Sequence, residues 1–392
     1  MIDDAAVGYD VTAIAIGIDR YERSLQKGSG ALDSEGLVPI YLGDGLIEPR
    51  RYASWEAALE ELDEMDSVVS RYPAGARRMF LEGLLRSLRT AIAVFRGEET
   101  SFADRLENLV GVPAKPADDE VIAGLRDEID QALARLGIGQ GSLKERVRRW
   151  ERERFIPVEQ LHTVYEELQE EAIRRTSDVV FDLGDYRMDL VLKPGTAAAG
   201  RCNFAEGVME VNTDLGITRA AMKHLVTHEN FPGHATQLLY TLDSYKRETS
   251  TADVLLCTLN GVPGIIQEGI GDQATELIDW VEDDDDVIQI ALRRLRIAVA
   301  TTASWRLMQL GHAEADVVAY IDDTGFALAP YVDGRITQAK HVYRGPFNAS
   351  YYYGTQAVRE VRIRAREAGT YGRFIRYLYE NMHSLEGFLT FR

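Results

Sequence analysis

Apolar residues recur at intervals of three and four along much of the first half of the chain, which is the spacing of one helix face. This pattern predicts helices over residues 79–95, 121–136 and 143–172, the last interrupted by Pro157. Residues 26–45 are rich in glycine and lack the periodicity, so we expect an irregular loop there.

The pattern changes between residues 181 and 212. Residues 186–192 and 208–211 alternate between apolar and polar side chains, with a turn-rich stretch at 194–200, which predicts a small antiparallel hairpin or edge sheet. Helical spacing then returns and continues nearly to the end of the chain. The acidic run at 282–286 is typical of a solvated loop between two long helices.

We therefore predict a mainly α fold with one small sheet. In chain order, an N-terminal helical region at 1–175 precedes a metal-site catalytic region at 176–392, packed together as one globular unit.

Composition narrows the function classes. The chain has 392 residues and a net charge of -19, which argues against a phosphate-rich partner such as nucleic acid. No apolar run approaches the roughly 20 residues that span a bilayer, and the N-terminus lacks the features of a secretory signal. We expect no nucleic acid partner, no membrane partner and a cytoplasmic location; the sequence leaves the oligomeric state open. Cys202 and Cys257 are expected to be reduced and inert.

The candidate chemistry lies in the segment His-Glu-Asn-Phe-Pro-Gly-His, from His228 to His234. Buried imidazole and carboxylate groups need a partner or a metal, and the segment follows an apolar helical stretch. Two histidines six positions apart lie about 120° out of register on a regular helix. Because Pro232 and Gly233 break that helix, His234 can swing back beside His228, and we predict that both bind zinc.

A hydrolytic zinc site usually has a third protein ligand. We predict Glu268, which lies 34 residues after His234 in a helical segment with nearby glycines that permit close approach. Asp272, one turn later, is placed to orient a ligand histidine. Glu276 continues the same face and is the main competitor for the third position.

These residues carry a resemblance to a known bacterial group, the domain of unknown function 885 family, over about residues 208–385. The chain resembles its His-Glu-x-x-Pro-Gly-His motif at 228–234 and its Glu-Gly segment at 268–269, and Asn212 and Gln237 also match. Residues 346–354 resemble a further motif, although Phe347-Asn348 replaces a Gly-Gln pair. The resemblance implies a zincin-like, carboxypeptidase-like helical fold with zinc on the two histidines and the glutamate, and it does not imply the substrate.

In the mechanism that we expect, zinc lowers the pKa of a bound water to roughly 7, and Glu229 accepts its proton as general base. Tyr351, at the tyrosine position of the family motif, is the predicted donor to the developing oxyanion, with Tyr352 or Tyr353 as alternatives. Arg344 either holds a substrate carboxylate or caps a helix.

The sequence thus favours a zinc-dependent hydrolase, a peptidase of possible carboxypeptidase type, that acts on a peptide or another small amide. Gln237, Asn212, Arg344 and Tyr352 are candidates for contacts to the ligands or to the substrate. Two alternatives remain open: a zinc-dependent amidase or lyase on a non-peptide substrate, and a catalytically inactive metal-binding protein.

Overall fold

The computed structural model describes residues 2–25, 36–195, 200–214, 216–256 and 260–392. The described chain is mainly helical with one small sheet, which confirms the predicted fold class. In chain order its α-helices are α1 (Asp4–Ser24), α2 (Trp55–Val69), α3 (Ala76–Phe95), α4 (Phe102–Asp104), α5 (Asp119–Arg135), α6 (Leu143–Glu153), α7 (Leu161–Val179), α8 (Arg219–Leu225), α9 (His234–Lys246), α10 (Gly264–Leu277), α11 (Asp284–Met308), α12 (Glu314–Gly325), α13 (Ala329–Lys340), α14 (Asn348–Glu367), α15 (Tyr371–Glu380) and α16 (Leu385–Leu389).

The helices predicted from periodicity are present. Residues 79–95 lie within α3, and 121–136 coincide with α5 to within two residues at each end. The stretch 143–172 divides near Pro157 into α6 and α7, with a 3-10 turn, Val158–Gln160, between them. Ser142 and Glu145 form a capping box at the start of α6. Of the predicted irregular loop, residues 26–35 lie outside the described residues and 36–45 form no helix or strand.

The sheet has three strands, β1 (Asp189–Lys193), β2 (Gly200–Asn203) and β3 (Val208–Asn212), in the order β1-β3-β2. Strands β2 and β3 form an antiparallel hairpin, and Gly207 turns the chain between them with a φ of +67°. The two stretches that we predicted as strands are β1 and β3, and β2 was not predicted. Strand β1 pairs with β3 in parallel. The sheet is mixed rather than purely antiparallel because β3 takes the central position. Of the predicted turn-rich stretch, residues 196–199 lie outside the described residues.

The chain divides into two compact units, each drawn from several segments. Unit 1 comprises Met1–Ala114, Gln237–Gly269 and His341–Arg392, and unit 2 comprises Lys115–Thr236 and Ile270–Lys340. None of these boundaries falls at residue 175, where we predicted a change of region. That prediction concerned the order along the chain, and it stays a prediction.

In unit 1, α1 packs closely against the 3-10 turn Ala252–Leu255. A Cβ atom on Gly8 would lie 2.7 Å from Cβ of Thr251, so glycine permits this approach. Arg77 binds the same 3-10 turn, because its two terminal nitrogens donate to the two oxygens of Asp253 at 2.8 and 2.9 Å. Asp253 is only 1% exposed, and the bidentate pair compensates its burial.

In unit 2, α11 packs along α5 and α12 through buried aliphatic side chains. The acidic run at 282–286 is a solvated loop only in part: Glu282 and Asp283 are exposed ahead of α11, but the three aspartates that follow belong to the helix. Asp283 accepts the backbone N–H of Asp286 at 3.0 Å and so caps α11, whose first turn contains the remaining aspartates. Asp286 is 5% exposed and accepts a bond from Nζ of Lys223 at 2.6 Å. None of the described helices is long and apolar enough to cross a membrane.

Candidate metal centre

The segment that carries the predicted zinc ligands is not one regular helix. Helix α8 runs into a wider π-helical turn, Val226–Asn230, which contains His228 and Glu229. The turn ends where the backbone N–H of Phe231 donates to the carbonyl of Val226 at 3.0 Å, and α9 begins at His234. The direction of the chain therefore changes between the two histidines.

This change of direction brings the two imidazoles together. The ring centroids of His228 and His234 lie 4.9 Å apart with an interplanar angle of 86°. A Cβ atom on Gly233 would lie 1.8 Å from the carbonyl oxygen of His228, so only glycine fits there. His228 is buried and His234 is half-buried. The separation of the rings is compatible with two nitrogen ligands on one ion.

Glu229 is held by the edge of the sheet. Its Oε2 atom accepts the backbone N–H of Cys202 on β2 at 2.8 Å, and the residue is 9% exposed. Burial raises the pKa of the Cys202 thiol, and the charge of Glu229 raises it further. The thiol is therefore protonated at neutral pH, in keeping with the inert role expected for it. Cys257 lies outside the described residues.

Three side-chain nitrogen atoms lie near one carboxylate oxygen of Asp272. Its Oδ1 atom lies 3.1 Å from Nε of Arg293, 3.4 Å from Nδ1 of His228 and 3.8 Å from Nε2 of His224. Burial raises the pKa of Asp272, but the charge of Arg293 and the nearby imidazole of His228 outweigh it and hold that pKa well below its usual range. Burial and the charge of Arg293 lower the pKa of His224, so His224 is neutral.

Helix α10 carries the predicted third ligand and its competitor. Glu268 lies one turn before Asp272 and Glu276 one turn after it, so the three share a face. Glu276 forms an ion pair with Arg294, which gives its carboxylate another partner. A Cβ atom on Gly271 would lie 2.7 Å from the ring of His228, so the α10 backbone passes directly against that imidazole. The role of Glu268 as a ligand stays a prediction.

The predicted tyrosines lie on α14 in unit 1. Tyr352 and Tyr353 are buried and contact each other, with ring centroids 5.0 Å apart. Tyr351 is half-buried and contacts Phe347 edge to face at 6.3 Å. Of the three phenols, that of Tyr351 is the least enclosed. Its catalytic role stays a prediction.

Two further candidates in unit 1 make backbone contacts. Nε2 of Gln237 donates to the carbonyl of Gln267 at 3.1 Å and so ties α9 to the residue before Glu268. Arg344 precedes the 3-10 turn Gly345–Phe347, and its own N–H donates to Nδ1 of His341 at 3.0 Å. Neither contact tests whether these side chains meet a substrate.

Asn212, at the end of β3, has a structural task. Its Oδ1 atom accepts the backbone N–H of Asp214 at 2.9 Å, which stabilises the turn after the strand. Sequence reasoning missed Arg293 and the N–H of Cys202, both of which contact site residues. No local signal marks them, because each contact joins segments far apart in the chain.

Comparisons with known proteins give the fold and no chemistry. A solved protein from Colwellia psychrerythraea matches 94% of this chain and 67% of its own, with a TM-score of 0.61 and 12% identity. Another, from Shewanella oneidensis, matches 85% of this chain and 72% of its own, with a TM-score of 0.55 and 14% identity. Both are described as putative lipoproteins, the second as one of unknown function. No family model and no curated protein matches the chain.

The assignment to the domain of unknown function 885 family is therefore wrong. It rested on a short motif and scattered single residues, and no family model supports it. Neither of the two solved structures named above is described as a peptidase. At such low identity the likeness shows a shared fold alone.

Proposed function

We propose that this protein is a zinc-dependent hydrolase in which His228, His234 and Glu268 hold the ion. The observation that carries the proposal is the return of His234 to His228 across the Pro232-Gly233 break, with ring centroids 4.9 Å apart. Two imidazoles and a carboxylate form the ligand set of many hydrolytic zinc sites.

The surroundings of His228 fit a ligand. Its Nδ1 atom faces Oδ1 of Asp272 at 3.4 Å, and Nε2 is the ring nitrogen that we propose to bind the ion. That distance is longer than a normal N–H···O bond, and catalytic bonds often tighten only when the site is filled. Gly271 leaves room for the imidazole in this orientation.

Zinc would act as a Lewis acid that lowers the pKa of a bound water to roughly 7. Glu229, directly after His228, is the proposed general base. Since the N–H of Cys202 occupies Oε2 at 2.8 Å, Oε1 is the oxygen that would accept the proton. Tyr351 is the proposed donor to the oxyanion that develops on the substrate carbonyl.

The proposed substrate is a peptide or another small amide, because this combination of groups suits attack on a carbonyl. Arg344 would hold a terminal carboxylate if the enzyme acts as a carboxypeptidase. The zincin-like character of the fold and the cytoplasmic location belong to the same proposal. A zinc-dependent amidase or lyase and an inactive metal-binding protein are the outcomes against which it is tested.

Incubation of the zinc-loaded protein with a mixed peptide library, followed by mass spectrometry of the products, tests the proposal. We expect cleavage that a chelator stops, that Glu229→Gln abolishes with zinc still bound, and that His312→Ala, a change at an exposed histidine, leaves intact. Turnover of non-peptide amides alone would favour the amidase. Zinc binding without turnover in any substrate class would favour the inactive protein.

A further inference from the structure

Two neighbouring arginines on α11 form ion pairs with α10. Arg293 pairs with Asp272, and Arg294 pairs with Glu276 one turn further along α10. The side chains differ in exposure: that of Asp272 is fully buried, whereas that of Glu276 is 15% exposed. The first pair leads to the candidate metal centre, because Oδ1 of Asp272 also faces His228 and His224.

The group formed by His224, His228 and Asp272 also has the composition of a metal site, with possible ligand atoms within 4.8 Å of one another. The position of Arg293 argues against a second ion there. Its guanidinium Nε lies 3.1 Å from the oxygen that both imidazoles face, so a cation at that point would meet a fixed positive charge. The arrangement instead suits a chain of charge-assisted hydrogen bonds.

We propose that Arg293 is a positioning residue that fixes the ring of His228 through Asp272. Nε of Arg293 donates to Oδ1 of Asp272, and that oxygen faces Nδ1 of His228 at a distance of 3.4 Å. Hydrogen on Nδ1 leaves the lone pair on Nε2, which is the form of imidazole that binds a metal. His224 lies further from the same oxygen, at 3.8 Å, and its buried Nε2 has no hydrogen-bond partner within the described part of the chain.

The effect of Arg293 on zinc affinity rests on the proposed function, whereas its effect on the ring of His228 does not. The tautomer of His228 is a property of the metal-free protein and has its own readout. Imidazole ¹⁵N shifts of histidine-labelled protein, assigned with His228→Gln, report which ring nitrogen carries the hydrogen. Competition with a chelator reports the affinity for zinc.

The matched variants are Arg293→Met and Arg294→Met, which each remove one arginine from the same helix and break one ion pair with α10. We expect Arg293→Met to convert the single Nδ1–H form of His228 into a mixture and to weaken zinc binding about 10- to 100-fold. Arg294→Met is expected to keep the tautomer and to change zinc affinity less than about threefold. Equal effects of the two variants, or an unchanged tautomer in Arg293→Met, would overturn the proposal.

Two further outcomes are distinguishable. If the unaltered protein binds no zinc, the proposed function fails, and the ¹⁵N shifts still decide the role of Arg293. Should Arg293→Met not fold, Arg293→Met with Asp272→Leu removes both charges and the acceptor together and avoids an uncompensated buried carboxylate. That double variant is expected to lose the Nδ1–H form as well, and its retention would contradict the proposal.

Discussion

The imidazole rings of His228 and His234 lie 4.9 Å apart although the residues are six positions apart in the chain. A π-helical turn before the break and a new helix after it produce this closeness. Since the backbone between them admits no side chain at Gly233, the geometry of the pair depends on one small residue.

Gly233→Ala tests that dependence. The added Cβ would lie 1.8 Å from the carbonyl oxygen of His228, and that carbonyl belongs to backbone, which has little room to shift. We expect a loss of about 1–3 kcal/mol in the free energy of unfolding and a large loss of zinc affinity, measured by denaturation and zinc titration. Gly124→Ala, in α5 with open space around it, is the control and should not destabilise the protein.

Gly271→Ala addresses the other side of the same imidazole. The new Cβ would lie 2.7 Å from ring atoms of His228, so the ring must move. Because the ring is displaced rather than the backbone, zinc affinity should fall by about tenfold or more while the fold persists. Zinc titration and circular dichroism measure the two effects. Unchanged affinity would show that the position of this ring does not govern metal binding.

Lys223→Met tests the buried ion pair between Lys223 on α8 and Asp286 on α11. Asp286 accepts from Nζ of Lys223 at 2.6 Å, and each residue is about 5% exposed. Removal of the lysine leaves a buried carboxylate without its cation, so we expect a loss of about 3–5 kcal/mol in unfolding free energy. Lys223→Met with Asp286→Asn should recover part of it. A double variant as unstable as the single one would mean that the lysine acts through packing.

The buried side chain of His383, in unit 1, is expected to make the stability of the protein depend on pH. Burial lowers its pKa from 6.5 to about 4, against the raising effect of the bond between its Nε2 and the carbonyl of Tyr377 at 2.9 Å. Between these values the unfolded chain binds the proton and the folded chain does not. The neutral, buried His383 therefore contributes stability above pH 6.5, and this contribution is lost as the pH falls towards 4.

The loss attributable to His383 is about 3 kcal/mol. The difference in unfolding free energy between the unaltered protein and His383→Gln, measured by denaturant titration at pH 7 and at pH 4, isolates it from the carboxylates. Between pH 7 and pH 4 we expect the unaltered protein to lose about that much more unfolding free energy than His383→Gln does. A difference independent of pH would mean that His383 is protonated in the fold.

Local patterns account for much of the architecture. The periodicity of α3 and α5 and the break at Pro232-Gly233 follow from residues close together in the chain, and the structure confirms these elements. The contact of Arg293 with Asp272 does not, since the ion pair depends on how two helices pack. The acidic run at 282–286 was misread in part for the same reason: its last carboxylate, that of Asp286, is buried against Lys223, 63 positions away.

Zinc titration by calorimetry, on the unaltered chain and on His234→Ala and His312→Ala, tests the central claim most directly. We predict about one zinc per chain, lost in His234→Ala because only one imidazole remains, and kept in His312→Ala, whose histidine is exposed. An unaltered protein that takes up no zinc, or a His234→Ala variant that binds it equally well, would contradict the account.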